Sequence, residues 1–299
     1  MKRTTRLLLC TLLASIFLSI TAFADMGPKP QLTVCVKNAP DEPYYLDLLA
    51  EGAYDETDGF SGIEWSYHER EDTLDPALLD ALCAAIPEGW HACTAQGTNG
   101  LPMWGQLYAE EKDAAGNPMH VFSYHGVPET YRIIIVTESG ETLLSEPLER
   151  KVLQSSVTVD WDGENTTVRA PGVAVGYALQ FLSTFVPTVL IEGVLLLLFG
   201  FKWKENRRVF LLTNLVTQGG LALYIALTVM RHGVSGWSYI FFIPIEIVIT
   251  IAESLIYSKT LKGQSKGRAA AYGVCANLAS ALLGVWLAEP VWRFVVSIS

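Results

Sequence analysis

At 299 residues, 50% of them hydrophobic, with a mean hydropathy of +0.28, the chain is too apolar for a wholly water-soluble protein. With 17% charged residues it is also too polar to lie wholly within a membrane. The formal net charge of −10 is unevenly distributed: residues 25–171 hold 26 acidic and 8 basic side chains, whereas residues 172–299 hold 10 basic and 5 acidic ones. An acidic surface of this size repels polyanions and excludes nucleic acid as a partner.

The chain opens with Lys2, Arg3 and Arg6 before an apolar run over 7–20, and then Ala22-Phe23-Ala24. This is the pattern of a secretory signal peptide over 1–24, with cleavage before Asp25. Cys10 leaves with it, because Leu9 stands where a lipoprotein site needs a small residue. An exported segment permits disulfides, and Cys83 with Cys93 is the candidate pair, with buried free thiols as the alternative.

Over 25–171, alternating or β-branched runs at 32–36, 44–49, 120–124, 131–137, 142–144, 156–161 and 166–169 are bounded by turn residues. They predict a small antiparallel sheet or sandwich. Glu138-Ser139-Gly140-Glu141 and the segment around Asp162-Gly163 predict hairpin tips. One helix is predicted over 75–86, with Asp75 as cap, Pro76 in the first turn and Leu78, Leu79, Leu82 and Ile86 as its apolar face.

The stretch 90–117, rich in Gly and containing Trp90, Met103, Trp104 and Tyr108, predicts a long surface loop whose aromatics either anchor to the core or form a binding face. Asp160, Asp162 and Glu164 alternate as in a calcium loop, but Gly163 comes too early and no distal glutamate follows. His68, His91, His120 and His125 lack metal-ligand spacing. No metal or cofactor is therefore expected, apart from a monovalent or divalent cation.

Four apolar stretches follow, at 173–201, 209–230, 237–257 and 269–288, each long enough to cross a hydrocarbon layer of roughly 30 Å. Lys202, Lys204, Arg207 and Arg208 follow the first, and Lys259, Lys262, Lys266 and Arg268 follow the third. Excess basic charge marks cytoplasmic loops, so 202–208 and 258–268 are placed inside and 25–171 outside, as the signal peptide also requires. The segment 291–299 is expected at the outer interface, or as a kinked extension of the fourth helix.

Polar residues inside these spans are the informative ones, since a charge at the bilayer centre costs roughly 2.5–3.5 kcal/mol. Glu246, Thr250, Glu253 and Tyr257 share one stripe of the third helix; Asn214 and Gln218 share a face of the second, and Thr188 and Glu192 one of the first. On the fourth, Gly273, Asn277, Ser280 and Gly284 align, and small residues there permit close helix approach. Glu192, Asn214, Gln218, Glu246, Glu253 and Asn277 are thus the candidate intramembrane polar centre, with Gly273, Ser280 and Gly284 as packing positions. Converging glutamates resist being charged together, which suits proton exchange or cation binding.

The fold expected is a membrane protein with a small β-rich (α+β, sandwich-like) extracytoplasmic domain, 25–171, followed by a four-helix transmembrane bundle, 172–299. Segments MGPKP (26–30), NAPDEPYYLDLL (38–49), TNLVTQ (213–218) and EIVITIAES (246–254) give the chain a resemblance to signal-peptide-bearing multi-pass membrane proteins of Gram-positive, clostridia-like bacteria. That resemblance implies a bacterial cell membrane and a shared architecture, and it transfers no catalytic residues. No HExxH, Gly-x-Ser-x-Gly or paired-Asp motif occurs, so no enzyme is expected. The expected roles are a small transport or ion-coupled membrane component, or an envelope sensor whose ectodomain recognises a ligand. Its partners are the lipid bilayer and a second copy or another membrane subunit.

Overall fold

The computed structural model describes residues 29–52, 74–98, 100–232 and 242–297; the expected signal peptide and His68 lie outside them. The N-terminal region is β-rich. Its strands are β1 (Gln31–Lys37), β2 (Tyr44–Glu51), β3 (Trp90–Ala92), β4 (Glu111–Lys112), β5 (Pro118–Ser123), β6 (Thr130–Thr137), β7 (Thr142–Leu144), β8 (Leu148–Glu149), β9 (Gln154–Asp160) and β10 (Thr167–Arg169). Two helices accompany them, α1 (Pro76–Ala85) and the single turn α2 (Cys93–Gln96).

One sheet runs β10-β9-β1-β5-β4 and the other β3-β2-β6-β7, with β8 also pairing β6. The alternating side chains Leu32, Val34 and Val36 of β1 meet Leu46 and Leu48 of β2 and Ile133 and Ile135 of β6 in one fully buried layer. Sandwiching two inner faces in this way excludes water from both. The opposite face of the second sheet, with Tyr45, Leu49, Ile134 and Val136, is covered by Leu78, Leu79 and Leu82 of α1. Both faces of β2 and β6 are therefore apolar. The Asp75 carboxylate caps α1 by accepting from the Ala77 and Leu78 amides at 2.9 and 3.0 Å, as the sequence predicts.

Three expectations change here. The sheet is mixed, because β1 pairs in parallel with β9 from Gln31↔Gln154 to Lys37↔Asp160. The run 90–117 contributes β3, α2 and β4, and Met103 is buried while Trp104 and Tyr108 stay exposed. Finally, Cys83 and Cys93 are free thiols. Cys83 is exposed on α1, whereas Cys93 is sealed between the sheets, so the two side chains occupy opposite sides of a packed layer.

Asp47 illustrates how a polar residue survives on a two-faced apolar strand. It is fully buried on β2 and accepts from the Thr94 amide at 3.2 Å, from the Thr94 hydroxyl and from the Leu48 amide at 2.7 Å. The first turn of α2 thus satisfies a carboxylate that would otherwise be costly to bury.

Four long helices follow: α3 (Val173–Leu198), α4 (Trp203–His232), α5 (Phe242–Thr260) and α6 (Lys266–Ser297). By length and apolar composition, α3 and the Trp203–Val229 stretch of α4 are able to cross a membrane. α6 packs against α3 and α5 along its length, and α4 adds more limited contacts to α3 and α5. α6 continues through Pro290 to Ser297, so the segment after 288 extends the helix, as the alternative expectation had it.

Candidate functional site

The polar centre forms where the four long helices meet. Glu253 of α5 is fully buried, and both carboxylate oxygens have donors. The Thr217 hydroxyl of α4 donates to Oε1 at 2.5 Å, and Asn277 Nδ2 of α6 donates to Oε2 at 2.8 Å. The second amide hydrogen of Asn277 reaches the Gly273 carbonyl at 3.0 Å. Hydrogen bonds of this kind, to a charged acceptor, are the strong ones.

One turn further along α6, the Ser280 hydroxyl donates to Oε1 of Glu192 at 3.0 Å. Glu192, on α3, is 1% exposed, and the Tyr272 hydroxyl donates to its backbone carbonyl at 3.2 Å. Asn214 of α4 uses Nδ2 to bond the Tyr257 hydroxyl at 3.0 Å and the Phe210 carbonyl at 3.2 Å. Asn214 lies beside Glu192. Its Oδ1 and Glu192 Oε2 are both buried acceptors without a donor among the described residues. Buried acceptors are normally satisfied, so this corner of the network is short of hydrogen.

Close approach of α5 and α6 makes the centre possible. A Cβ placed on Gly273 would lie 2.8 Å from Ser254 Cα and Oγ, so only glycine fits there. Gly273 therefore sits at the α5–α6 contact, and Ser280 at the bond from α6 to Glu192 of α3. Among the described residues nothing lies within 4 Å of the Cβ position on Gly284.

An aromatic layer closes the centre on the side of the basic loops. Tyr257, Tyr272 and Phe210 are fully buried, and Tyr272 packs its ring against Phe199, Phe201 and Tyr257 with centroids 5.7, 5.8 and 5.3 Å apart. Beneath that layer the two loops are stitched together. Buried Asn206 donates to the Lys202 and Lys262 carbonyls, both at 3.1 Å, and accepts from the Lys262 amide at 2.8 Å. Gln264 adds a bond to the Gly200 carbonyl at 2.9 Å.

Of the six residues expected at the centre, Glu192, Asn214, Glu253 and Asn277 are brought together. Glu246 is half-buried on α5, within electrostatic reach of Glu253 and Glu192, but makes no side-chain bond to them among the described residues. Gln218 is half-buried and, among the described residues, makes no hydrogen bond to the centre; Thr217, its neighbour, takes that role. Thr217 is three residues after Asn214, a spacing that also shares a helix face, so the same periodicity contained this signal. Tyr272 and Asn206 carried no comparable signal.

In the β-rich region, the indole of exposed Trp104 stacks on Tyr124 with centroids 4.1 Å apart, and the Lys29 ammonium stands 4.3 Å from the Tyr124 ring centre. His120 is buried with its Nε2 3.1 Å from the Tyr44 hydroxyl. Burial holds its pKa down, to about 4. Burial, reinforced by Asp113, pushes the Cys35 thiol up to about 11. Among the described residues no His, Cys, Asp and Glu group of three or more is arranged to share a metal. No family model, curated protein or solved structure matches the chain.

Proposed function

We propose that the chain is a multi-pass membrane protein, with the β-sandwich outside and the loops at 202–208 and 258–268 in the cytoplasm, and that its polar centre couples to an ion. The observation that carries this reading is the pair Glu192 and Glu253. Two carboxyl groups are buried in one hydrogen-bonded network on helices that present Leu190, Val194, Leu212, Val216, Val248 and Leu282 outward. An outward-facing aliphatic surface on all four helices suits lipid rather than water. Carboxylates within such a surface are expensive and mark ion or proton pathways.

Coordination favours the proton over a metal cation. Hard divalent cations take about six or more oxygen ligands, whereas Glu253 already has a donor on each oxygen, and Glu192 Oε2, Asn214 Oδ1 and Ser254 Oγ are the nearby oxygens buried without a partner among the described residues. A single proton fills that vacancy. With four spans, transport of a larger solute requires a second copy or a partner subunit.

The competing reading, an envelope sensor, draws on the contacts that tie the sandwich to the helices. Arg293 of α6 pairs with Glu111 of β4, the Tyr177 hydroxyl of α3 donates to the Lys151 carbonyl at 2.9 Å, and Leu153 packs on Val229 of α4.

Thermal unfolding of the full-length protein, titrated against pH and against sodium, potassium, magnesium and calcium, separates the two. The ion reading expects a pH- or cation-dependent shift that the Glu192→Gln, Glu253→Gln double variant abolishes. An unchanged shift in the double variant moves the response to the ectodomain and favours the sensor. Absence of any shift sinks the ion-coupled reading.

A further inference from the structure

The stripe Glu246, Thr250, Glu253 and Tyr257 on α5 is buried unevenly. Glu253 and Tyr257 are 0% exposed, whereas Glu246 and Thr250 are half-buried. Beside them Ile247, Val248 and Ile251 form exposed aliphatic surface. Asn206, at the start of α4, bonds Lys262, just past the end of α5, while Val229 near the far end of α4 packs on Leu153 of the sandwich. The half-buried part of the stripe therefore points to the sandwich and the sealed part to the basic loops. A carboxylate against hydrocarbon is expensive, so the exposed part of Glu246 belongs in water or against polar groups.

The two approaches to the polar centre differ accordingly. From the basic-loop side it is closed by Tyr257, Tyr272 and Phe210, and behind them by the bonds of Asn206 and Gln264 between the loops. From the sandwich side the stripe itself leads in. Glu246 and Glu253 are about 10 Å apart along the helix axis, and Thr250 divides that distance into two steps of roughly 5 Å, each within reach of one bridging water. The Thr250 hydroxyl donates to the Glu246 carbonyl at 2.8 Å, and a hydroxyl both donates and accepts. Among the described residues the Glu246 carboxyl makes no bond to Glu192 or Glu253, so a role as one more link in their network has no contact to support it. Deeper in, Glu192 Oε2 and Asn214 Oδ1, buried without a donor among the described residues, mark where a hydrogen is wanted.

We infer that Glu246 is the group through which protons enter, and that they reach Glu253 and Glu192 from the sandwich side alone. The inference rests on the ion-coupled reading and adds the route and its sidedness. A proton from water on that side converts the Glu246 carboxylate to the acid. Passed inward by way of Thr250, it protonates Glu253 and leaves Glu246 an anion again, so no further reactant is needed.

Two readouts on the full-length protein separate the route from the reading it rests on. In membrane vesicles of either orientation, a membrane-impermeant thiol reagent is applied to Glu246→Cys, and labelling is read peptide by peptide, with exposed Cys83 of the sandwich marking which face is outward. The thiol at 246 should react wherever Cys83 reacts and be spared wherever Cys83 is spared. Thr250→Cys, one turn deeper, gives the same comparison if the first variant misfolds. Reaction where Cys83 is spared, or in neither orientation, would overturn the route. In proteoliposomes, Glu246→Gln should lose most of the wild-type proton flux, and Glu246→Asp, which keeps the carboxyl group, should restore it. An aspartate variant as inactive as the glutamine one would overturn the entry role. Wild-type protein without flux overturns the ion-coupled reading, whereas full flux in Glu246→Gln overturns this inference alone.

Discussion

Replacing Gly273 by alanine tests whether the α5–α6 crossing is what assembles the polar centre. The new methyl would sit 2.8 Å from Ser254 Cα and 3.1 Å from its backbone nitrogen, atoms that move only if the helices separate. Overpacking of this kind costs about 1–3 kcal/mol. Separation also stretches the 2.8 Å bond from Asn277 to Glu253, one turn away, and a hydrogen bond to a charged group is worth about 1.5–3 kcal/mol. Against these stands the helix-propensity gain of alanine over glycine, about 1 kcal/mol. The net expectation is a loss of about 1.5–5 kcal/mol. Gly284→Ala is the internal control: its methyl meets nothing within 4 Å, so only the propensity gain remains and the variant should be neutral or stabilised by up to about 1 kcal/mol. Denaturant unfolding of both variants in the same detergent measures the difference. Equal effects of the two substitutions, or a stabilised Gly273→Ala, would refute the assigned crossing.

Thr217→Val removes one donor from buried Glu253 and should lower stability by about 1.5–3 kcal/mol, while Gln218→Leu, next to it, should change it little; the same unfolding assay compares them. His120 is neutral when folded because burial depresses its pKa to about 4, against an unfolded value near 6.5, so its contribution is complete above about pH 6.5 and drains away as pH falls toward 4. That span corresponds to about 3 kcal/mol, and His120→Gln should flatten the pH dependence of unfolding across it; an unaltered slope contradicts the assignment. Cys83 should react with a water-soluble maleimide in the native protein, while Cys35 and Cys93 react only after unfolding. Cys275, exposed on α6, should resist that reagent in vesicles and yield to an apolar one if the helices span the bilayer as proposed.

Much of the fold was legible because its signals are local. Alternation placed β1, β2 and β6, the Glu138–Glu141 turn placed the β6–β7 hairpin, and Asp75-Pro76 placed the start of α1. The parallel partnership of β1 with β9 was not legible, since it joins segments more than 100 residues apart and leaves no mark on either. The lack of a Cys83–Cys93 bond was hidden for a similar reason: which side of a layer each cysteine faces depends on packing. In the helices, stripes of polar residues identified Glu253, Asn277, Asn214 and Glu192, because periodicity fixes which residues share a face. It does not fix how far each helix is rotated toward its neighbour. That rotation chose Thr217 over Gln218 as the donor to Glu253, made Gly273 a contact and left Gly284 open.

On the proposed reading, Glu192 and Glu253 handle an ion within the bilayer. Its most direct test is proton flux into proteoliposomes loaded with a pH-reporting dye, driven by an imposed membrane potential. Wild-type flux should exceed that of empty vesicles, be lost in Glu192→Gln and in Glu253→Gln, and be retained in Gly284→Ala. Flux indistinguishable from empty vesicles, or undiminished in both glutamine variants, would contradict it and leave the buried carboxyl groups as structural hydrogen bonds between helices.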